Sequence, residues 1–304
     1  FTAIAVSFTL AFSPISNTFA QVVPDAGAGQ YRPGMGSAGN GVPVVNITAP
    51  SAAGVSRNLY HQFNVQQQGV ILNNSTLNTQ TQLGGWIQGN PNLPYGAARV
   101  ILNEVTSGNP SLLRGYIEVG GQRAEVIIAN PAGISVNGAG FINAAGVTLT
   151  TGSPIFNNSG NLESYRVGGG RISITGAGLD TSTADYTRII ARAVEINSGL
   201  WANDLSIAAG TGSFAPDGTP LQLTVEDQSG KPLYAIDVAQ LGGMYAGKIR
   251  LIGTEAGVGV RNSGHIGASA GQVTVTADGM LINAGTINSS HTVAANSGIQ
   301  VAAA

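Results

Sequence analysis

Lys248 stands in the stretch whose residue types come nearest to a chemical motif. It closes Gly242-Gly243-Met244-Tyr245-Ala246-Gly247-Lys248, in which Gly242, Gly247 and Lys248 hold the spacing of a phosphate-binding loop. Such a loop needs a hydroxyl at the next position to reach a metal ion, and that position is Ile249. No strand-then-helix context surrounds the stretch, which reads as a corner. Gly168-Gly169-Gly170 and Gly176-Ala177-Gly178 lack the spacing and crossover helix of a dinucleotide site and read as turns. The three histidines, His61, His265 and His291, lie in different parts of the chain without metal-ligand spacing. None is placed to serve a serine nucleophile. Solenoids that cleave glycans use converging carboxylates, but here Asp and Glu are scattered, and Glu118 and Glu125 only alternate along strands. Lys occurs at 231 and 248 alone and the arginines form no basic stripe, so nucleic acid is not expected as a partner. Arg188 and Arg192 read as a solvated face. No catalytic residue, metal or cofactor follows from these patterns.

Composition explains why chemistry is sparse. Glycine accounts for 44 of 304 residues and charged residues for only 9%. Such a mixture suits many short strands joined by Gly and Asn turns. Disorder is excluded, because 43% of residues are hydrophobic and the formal charge is only −2. The chain has no cysteine, so its stability rests on core and backbone hydrogen bonds, and no bridge can lock it before it crosses a membrane. Residues 1–20 are uncharged and largely apolar, with a small residue at Ala20, which reads as a signal peptide lacking its basic start. Opening on Phe1, the chain reads as a fragment of a longer precursor. The apolar run from Ala3 to Phe12 is too short to span a bilayer, and no stable membrane insertion is expected.

The elements that must position any site are strands. Apolar residues recur at every second position in Val147-Thr148-Leu149-Thr150, Ile172-Ser173-Ile174-Thr175, Leu205-Ser206-Ile207-Ala208, Ile249-Arg250-Leu251-Ile252 and Val273-Thr274-Val275-Thr276. Between them stand corners such as Asn158-Ser159-Gly160, Asn197-Ser198-Gly199, Asn262-Ser263-Gly264 and Asn283-Ala284-Gly285. Spacings of roughly 20 to 25 residues match one coil of a parallel solenoid, whose core forms only when coils stack. Asn at equivalent corners is expected to form side-chain ladders, and crossover chirality predicts a right-handed turn. The fold class expected is therefore all-β, a right-handed parallel β-helix with an N-terminal cap and extrahelical hairpins. Residues 21–95 are assigned to the cap and first coils and 96–304 to the β-helix. A projecting hairpin is expected near 214–240, formed by Leu221-Gln222-Leu223-Thr224-Val225-Glu226 and Leu233-Tyr234-Ala235-Ile236-Asp237-Val238.

Two turns break this pattern by their strictness. Asn90-Pro91-Asn92-Leu93 follows the aromatic stretch Gly85-Trp86-Ile87, and Asn130-Pro131-Ala132-Gly133-Ile134 follows the apolar strand Arg123 to Ala129 and precedes Gly140-Phe141-Ile142-Asn143. Proline fixes its own φ and pushes the preceding Asn out of the helical region, Asn can bond the backbone ahead, and Gly133 can take a positive φ. In order and spacing this pair resembles the secretion domain of two-partner secretion exoproteins, the filamentous haemagglutinin and contact-dependent growth inhibition family. The resemblance covers the chain from about Gln21 onwards. One departure is Ala132, where the family pattern carries Asn.

The resemblance implies a site made of Asn90, Pro91, Asn92, Leu93, Asn130, Pro131, Gly133 and Ile134, which form turns, with recognition by a transporter as a second role. It implies the amino-terminal secretion domain of a large exported adhesin or toxin carrier. Its partner would be a cognate outer-membrane β-barrel transporter with periplasmic POTRA domains, and its destination the Gram-negative cell surface or exterior. A second reading from the same resemblance is a carbohydrate-binding haemagglutination module acting on surface glycans or receptors, against which the aromatics are only 6% and do not cluster in sequence. The chain ends in mid-repeat at Val301-Ala302-Ala303-Ala304, so an exposed last coil is expected.

Overall fold

The computed structural model describes residues 22–223, 230–290 and 298–303. The signal segment, the tip of the expected hairpin at 224–229, His291 and the corner residues Asn296 and Ser297 lie outside the described residues.

Short strands joined by turns wind the described residues into a parallel β-helix of three faces. The first and third faces each hold ten strands and the second holds seven. One coil passes from Ala124–Ala129 on the first face, through Ile134–Val136 on the second, to Ala139–Ile142 on the third. The next coil returns to the first face at Ala144–Thr150, paired in parallel with Ala124–Ala129. Apolar side chains stack in register through the coils. Ile128, Leu149, Ile189, Ile207, Leu251 and Val275 form one such column, and all belong to a single continuous core. No coil could bury this column alone, which is why the period in the sequence is a signal of stacking.

The edge at the start of the stack is closed by strands running the other way. Val22–Pro24 lies antiparallel to Val55–Phe63 on the first face, and Gly34–Ser37 lies antiparallel to Pro43–Asn46 on the third. Their reversal ends the parallel ladder and blunts an edge that would otherwise pair with another chain.

Some strands of the first face are apolar on both sides, and the reason is a second layer. Strands Ser153–Phe156, Leu162–Val167, Gly212–Phe214 and Pro220–Leu223 form an extrahelical antiparallel sheet. Tyr165, Val167 and Phe214 from this sheet pack with Leu102, Ile127, Ile190 and Ala208, which point outward from the helix. Val100-Ile101-Leu102 and Val126-Ile127-Ile128 thus read as continuous apolar runs because both faces are covered.

This arrangement revises three expectations. The hairpin near 214–240 pairs differently: Pro220–Leu223 turns back on Gly212–Phe214, while Tyr234–Val238 is a rung of the second face between Ala193–Ile196 and Gly259–Asn262. Its alternating pattern fits either role, and the stacked neighbours decide. Asn158-Ser159-Gly160 is the tip of the extrahelical hairpin rather than a solenoid corner. Val147 and Ile172 lie on different faces; the partners of Val147 are Val126 and Thr187, with the extrahelical strands inserted between coils. By contrast Ile249 pairs with Val273, and His265 with Thr286, so those spacings are true coil lengths.

Candidate functional site

The two Asn-Pro turns share one construction. Asn90 Oδ1 accepts the Asn92 N–H at 2.9 Å while its backbone carbonyl accepts the Leu93 N–H at 3.2 Å. Asn130 Oδ1 likewise accepts the Ala132 N–H at 2.9 Å, and its carbonyl accepts the Gly133 N–H at 3.0 Å. Proline in second place carries no N–H to be left unpaired in either turn. Pro91 and Pro131 are exposed, whereas Leu93 and Ile134 are buried in the main core.

What distinguishes these turns is where the amide groups point. Asn90 is 3% exposed and donates to the carbonyls of Ile47 and Asn73, both at 2.9 Å. It therefore ties the segment after the cap strand Pro43–Asn46 to the strand Val70–Asn74. Asn92 adds donations to the Asn46 and Ile47 carbonyls at 3.2 and 3.3 Å. Asn130 is fully buried and donates to the Asn109 carbonyl and to Ser111 Oγ, both at 3.0 Å. It thus fastens one coil to the previous one on the second face. A buried amide with all its bonds made is stabilising and directional, and one deprived of its partners is costly.

Gly133 completes the second turn. Its φ is +117°, and a Cβ there would come within 3.0 Å of the Arg171 carbonyl oxygen of the next coil. Any side chain would meet both a strained backbone and a close neighbour. Ala132 is half-buried and its methyl cannot make the cross-segment bonds that Asn92 makes. The eight expected residues fall into two separate latches, one at the cap and one between coils, which share no hydrogen-bond partner among the described bonds.

Other asparagines complete the same network. Asn74 donates to the carbonyls of Ala98 and Gln122 at 2.9 and 2.8 Å and accepts the Ala98 N–H at 2.7 Å. Asn58 accepts the Thr48 N–H, and Asn103 accepts the Tyr60 hydroxyl and donates to the Ile127 carbonyl. Asn143, at φ +59°, donates to the Val119 and Gly121 carbonyls. Their signal was Asn at the end of an apolar run, as in Val70-Ile71-Leu72-Asn73-Asn74 and Val100-Ile101-Leu102-Asn103. Of the expected side-chain ladders, Asn46 with Asn73 and Asn262 with Asn283 are present, each at 2.8 Å. Glu118 is buried and accepts the backbone N–H groups of Gln82 and Leu83, both at 2.7 Å, anchoring the small hairpin of Thr79–Thr81 and Gly85–Ile87.

The residues with chemical potential go to structure. Gly242 lies at a corner, where its N–H bonds the Ala239 carbonyl and its own carbonyl accepts the His265 N–H. Ser269 stands in Gly267-Ala268-Ser269-Ala270-Gly271, the spacing of a nucleophile elbow. An elbow leads from strand to helix, whereas the strand Val273–Ala277 follows here and the Ser269 hydroxyl bonds the Ala246 carbonyl at 3.4 Å. Arg188 lies in a strand, its guanidinium 3.8 Å from the Tyr186 ring centre and 3.9 Å from Glu125. Arg192 pairs with the nearly buried Glu255 through two bonds at 3.2 and 2.9 Å. The solvated face expected for this pair is corrected: each long side chain reaches a carboxylate two strands away along the first face. No group of three or more His, Asp or Glu able to hold a metal is found among the described residues.

Comparison with known proteins follows the same geometry. The family model described as TPS secretion domain matches residues 20–283. A toxin, CdiA, of Yersinia pestis is 53% identical over 92% of this chain and 9% of its own length. The tRNA nuclease CdiA-2 of Burkholderia pseudomallei is 48% identical over 88% of the chain and 8% of its own. The chain thus spans less than a tenth of these curated relatives. The crystal structure of a filamentous haemagglutinin secretion domain superposes with a TM-score of 0.73, at 32% identity, covering 93% of this chain and 97% of that one.

Proposed function

The chain belongs to the TPS secretion-domain family, and from that premise we propose that it directs export of a much longer exoprotein and starts that protein's β-helix outside the cell. The route runs through the periplasm of a Gram-negative cell to a cognate outer-membrane β-barrel transporter, whose periplasmic POTRA domains bind the chain before it folds. The domain itself is not a catalyst. The rest of the exoprotein is a toxin carrier or an adhesin.

The carrying observation is the burial of Asn90 and Asn130 in latches that join separate segments. Buried amides offer nothing to a partner once the domain is folded, so their task lies in folding. A chain that crosses the membrane extended gains its first coils only on emergence. The first of these coils meets antiparallel cap strands in place of a parallel rung. Directional bonds at Asn90 and Asn130 fix the register of the first coils beside the stacking that carries the later ones.

The test is secretion of the chain from cells expressing the cognate transporter. Asn130→Ala is expected to lower the secreted amount strongly, and Ala132→Asn to leave it near the wild-type level. Purified Asn130→Ala is further expected to bind the isolated POTRA domains as the unfolded wild type does, while refolding more slowly. Normal refolding together with lost POTRA binding would assign the turn to recognition instead.

A further inference from the structure

We infer that the extrahelical sheet is a strap whose tip locks the N-terminal cap onto the first coil, and that the lock closes only when the chain has folded as far as Leu223. Three segments far apart in sequence meet at one side chain, Arg57 of the strand Val55–Phe63. Its Nε and Nη2 donate to a single oxygen of Glu104 at 2.9 and 2.8 Å, which ties it to the next coil. Its guanidinium lies against two rings, with the centre of Tyr31 from the cap 5.0 Å away and that of Phe156 from the strap 4.7 Å away. Both distances are within the reach of a cation–π contact.

The strap's tip is shaped by its own bonds. Asn157 Oδ1 accepts the Ser159 and Asn161 N–H groups, both at 3.0 Å, and the Asn157 N–H donates to the Asn161 carbonyl at the same distance. Gly160, at φ +71°, presents its carbonyl to Ser51 Oγ, which donates at 3.1 Å across 109 residues of sequence. A Cβ on Gly160 would come within 2.8 Å of the Ser51 Cβ, so the tip fits here only as glycine. A cleft of about 420 Å³, lined by Tyr31, Ser51, Arg57, Phe156 and Asn158 among others, stays open beside these contacts. Cap and strap therefore meet at a few points and not over a packed interface, and a single substitution can release them.

The strap does not close on its own. Ser153–Phe156 and Leu162–Val167 form a two-stranded hairpin, and a hairpin by itself is marginal in water. Gly212–Phe214 pairs with Leu162–Val167, and Pro220–Leu223 with Gly212–Phe214, which brings the sheet to four strands. Phe214 lies opposite Tyr165 in that register, and both are buried with Leu102, Ile127, Ile190 and Ala208 from four strands of the first face. Folding of the later strands is thereby transmitted to the amino-terminal edge, where antiparallel strands end the parallel ladder. Closure is a property of the folded chain and stands whether or not the export reading holds.

Hydrogen exchange of the folded chain tests the lock by comparing the Asp25 and Tyr31 amides, which donate to the Leu59 and Ala28 carbonyls, with the amides of Val273–Ala277. Phe156→Ala is expected to lower the protection factors in the cap about tenfold, the shift that one desolvated cation–π contact supports, and to leave Val273–Ala277 unchanged. Gly160→Asn, whose side chain tolerates a positive φ but meets Ser51, should lower them to a similar extent. Phe214→Leu, on the far side of the strap, should lower them about threefold or more. Ile155→Ala, on the exposed side of the same strand as Phe156, should leave both regions as in the wild type. Circular dichroism checks that each variant is folded. Wild-type cap protection in folded Phe156→Ala or Gly160→Asn, or an equal loss in the cap and in Val273–Ala277, would overturn the lock. Wild-type cap protection in folded Phe214→Leu would overturn its dependence on the later strands.

Discussion

The coils up to about Thr151 and the coils after Ala193 solve the same stacking problem by different means. In the early part, buried asparagines at 58, 64, 73, 74, 90, 103 and 130 bond across segments, whereas Asn262 is the one buried asparagine among the described later residues. The later coils lean on unbroken apolar columns and on pairs such as Arg261–Asp237 on the surface. The difference follows from what each coil has beneath it. A later coil copies the register of its neighbour, and apolar alternation suffices. The first coil rests on antiparallel cap strands with no equivalent rung to copy, and in the coils that follow, which do have a parallel neighbour, directional side-chain bonds reinforce the register.

The comparison is broken most directly at Asn130. Asn130→Ala removes three side-chain bonds and strands the Ser111 hydroxyl in the interior, so the loss of unfolding free energy should be about 2–3 kcal/mol. Denaturant unfolding measures it. The corresponding change in the later region, Asn262→Ala, also removes three side-chain bonds, but it frees the exposed Asn283 side chain, the Thr286 carbonyl and the half-buried Gly264 N–H, which water can reach. Its cost should be about 1 kcal/mol or less. Equal losses at the two sites would erase the distinction between early and late coils.

How much of this was legible follows the same divide. The fold class was readable because Leu205-Ser206-Ile207 and Val273-Thr274-Val275 alternate under a strict coil period, and stacking demands no more. The strand Tyr234–Val238 was misplaced because alternation states that a strand exists and not which face it joins. The two latches could be located by their turn residues, Pro91 and Pro131, but the destinations of the Asn90 and Asn130 amides are set by segments tens of residues away. The stacked rings on the third face were invisible for that reason too: Trp201 and Tyr245 become neighbours only when coils of unequal length come into register.

A smaller effect is expected at the cap. The Asp25 carboxylate accepts the Thr106 hydroxyl at 2.7 Å and the Gly27 N–H at 2.8 Å, and these bonds hold its pKa below the usual 3.8. A carboxyl depressed on folding stabilises the fold above its unfolded pKa and loses that contribution as pH falls through the folded value. The protection factors of the Val22 and Val23 amides should therefore fall below about pH 4, before those in Lys248–Gly253 respond. Simultaneous loss of protection in both strands would show that the cap has no separate stability.

The smallest effect, and the sharpest discrimination between the two turns, belongs to Ala132→Asn. In the first turn Asn92 reaches the Asn46 and Ile47 carbonyls, and Asn90 shares the Ile47 acceptor, so the cap is held by two amides. In the second turn Asn130 fastens the coil alone, and the geometry it needs, with Gly133 at φ +117°, is complete with alanine in third place. Adding an amide at 132 should thus change unfolding free energy by no more than about 0.5 kcal/mol, because the substitution leaves every bond of Asn130 in place. A gain of about 1 kcal/mol or more would mean that an acceptor in the neighbouring coil stands ready for that side chain. The second latch would then be an incomplete copy of the first rather than a sufficient one.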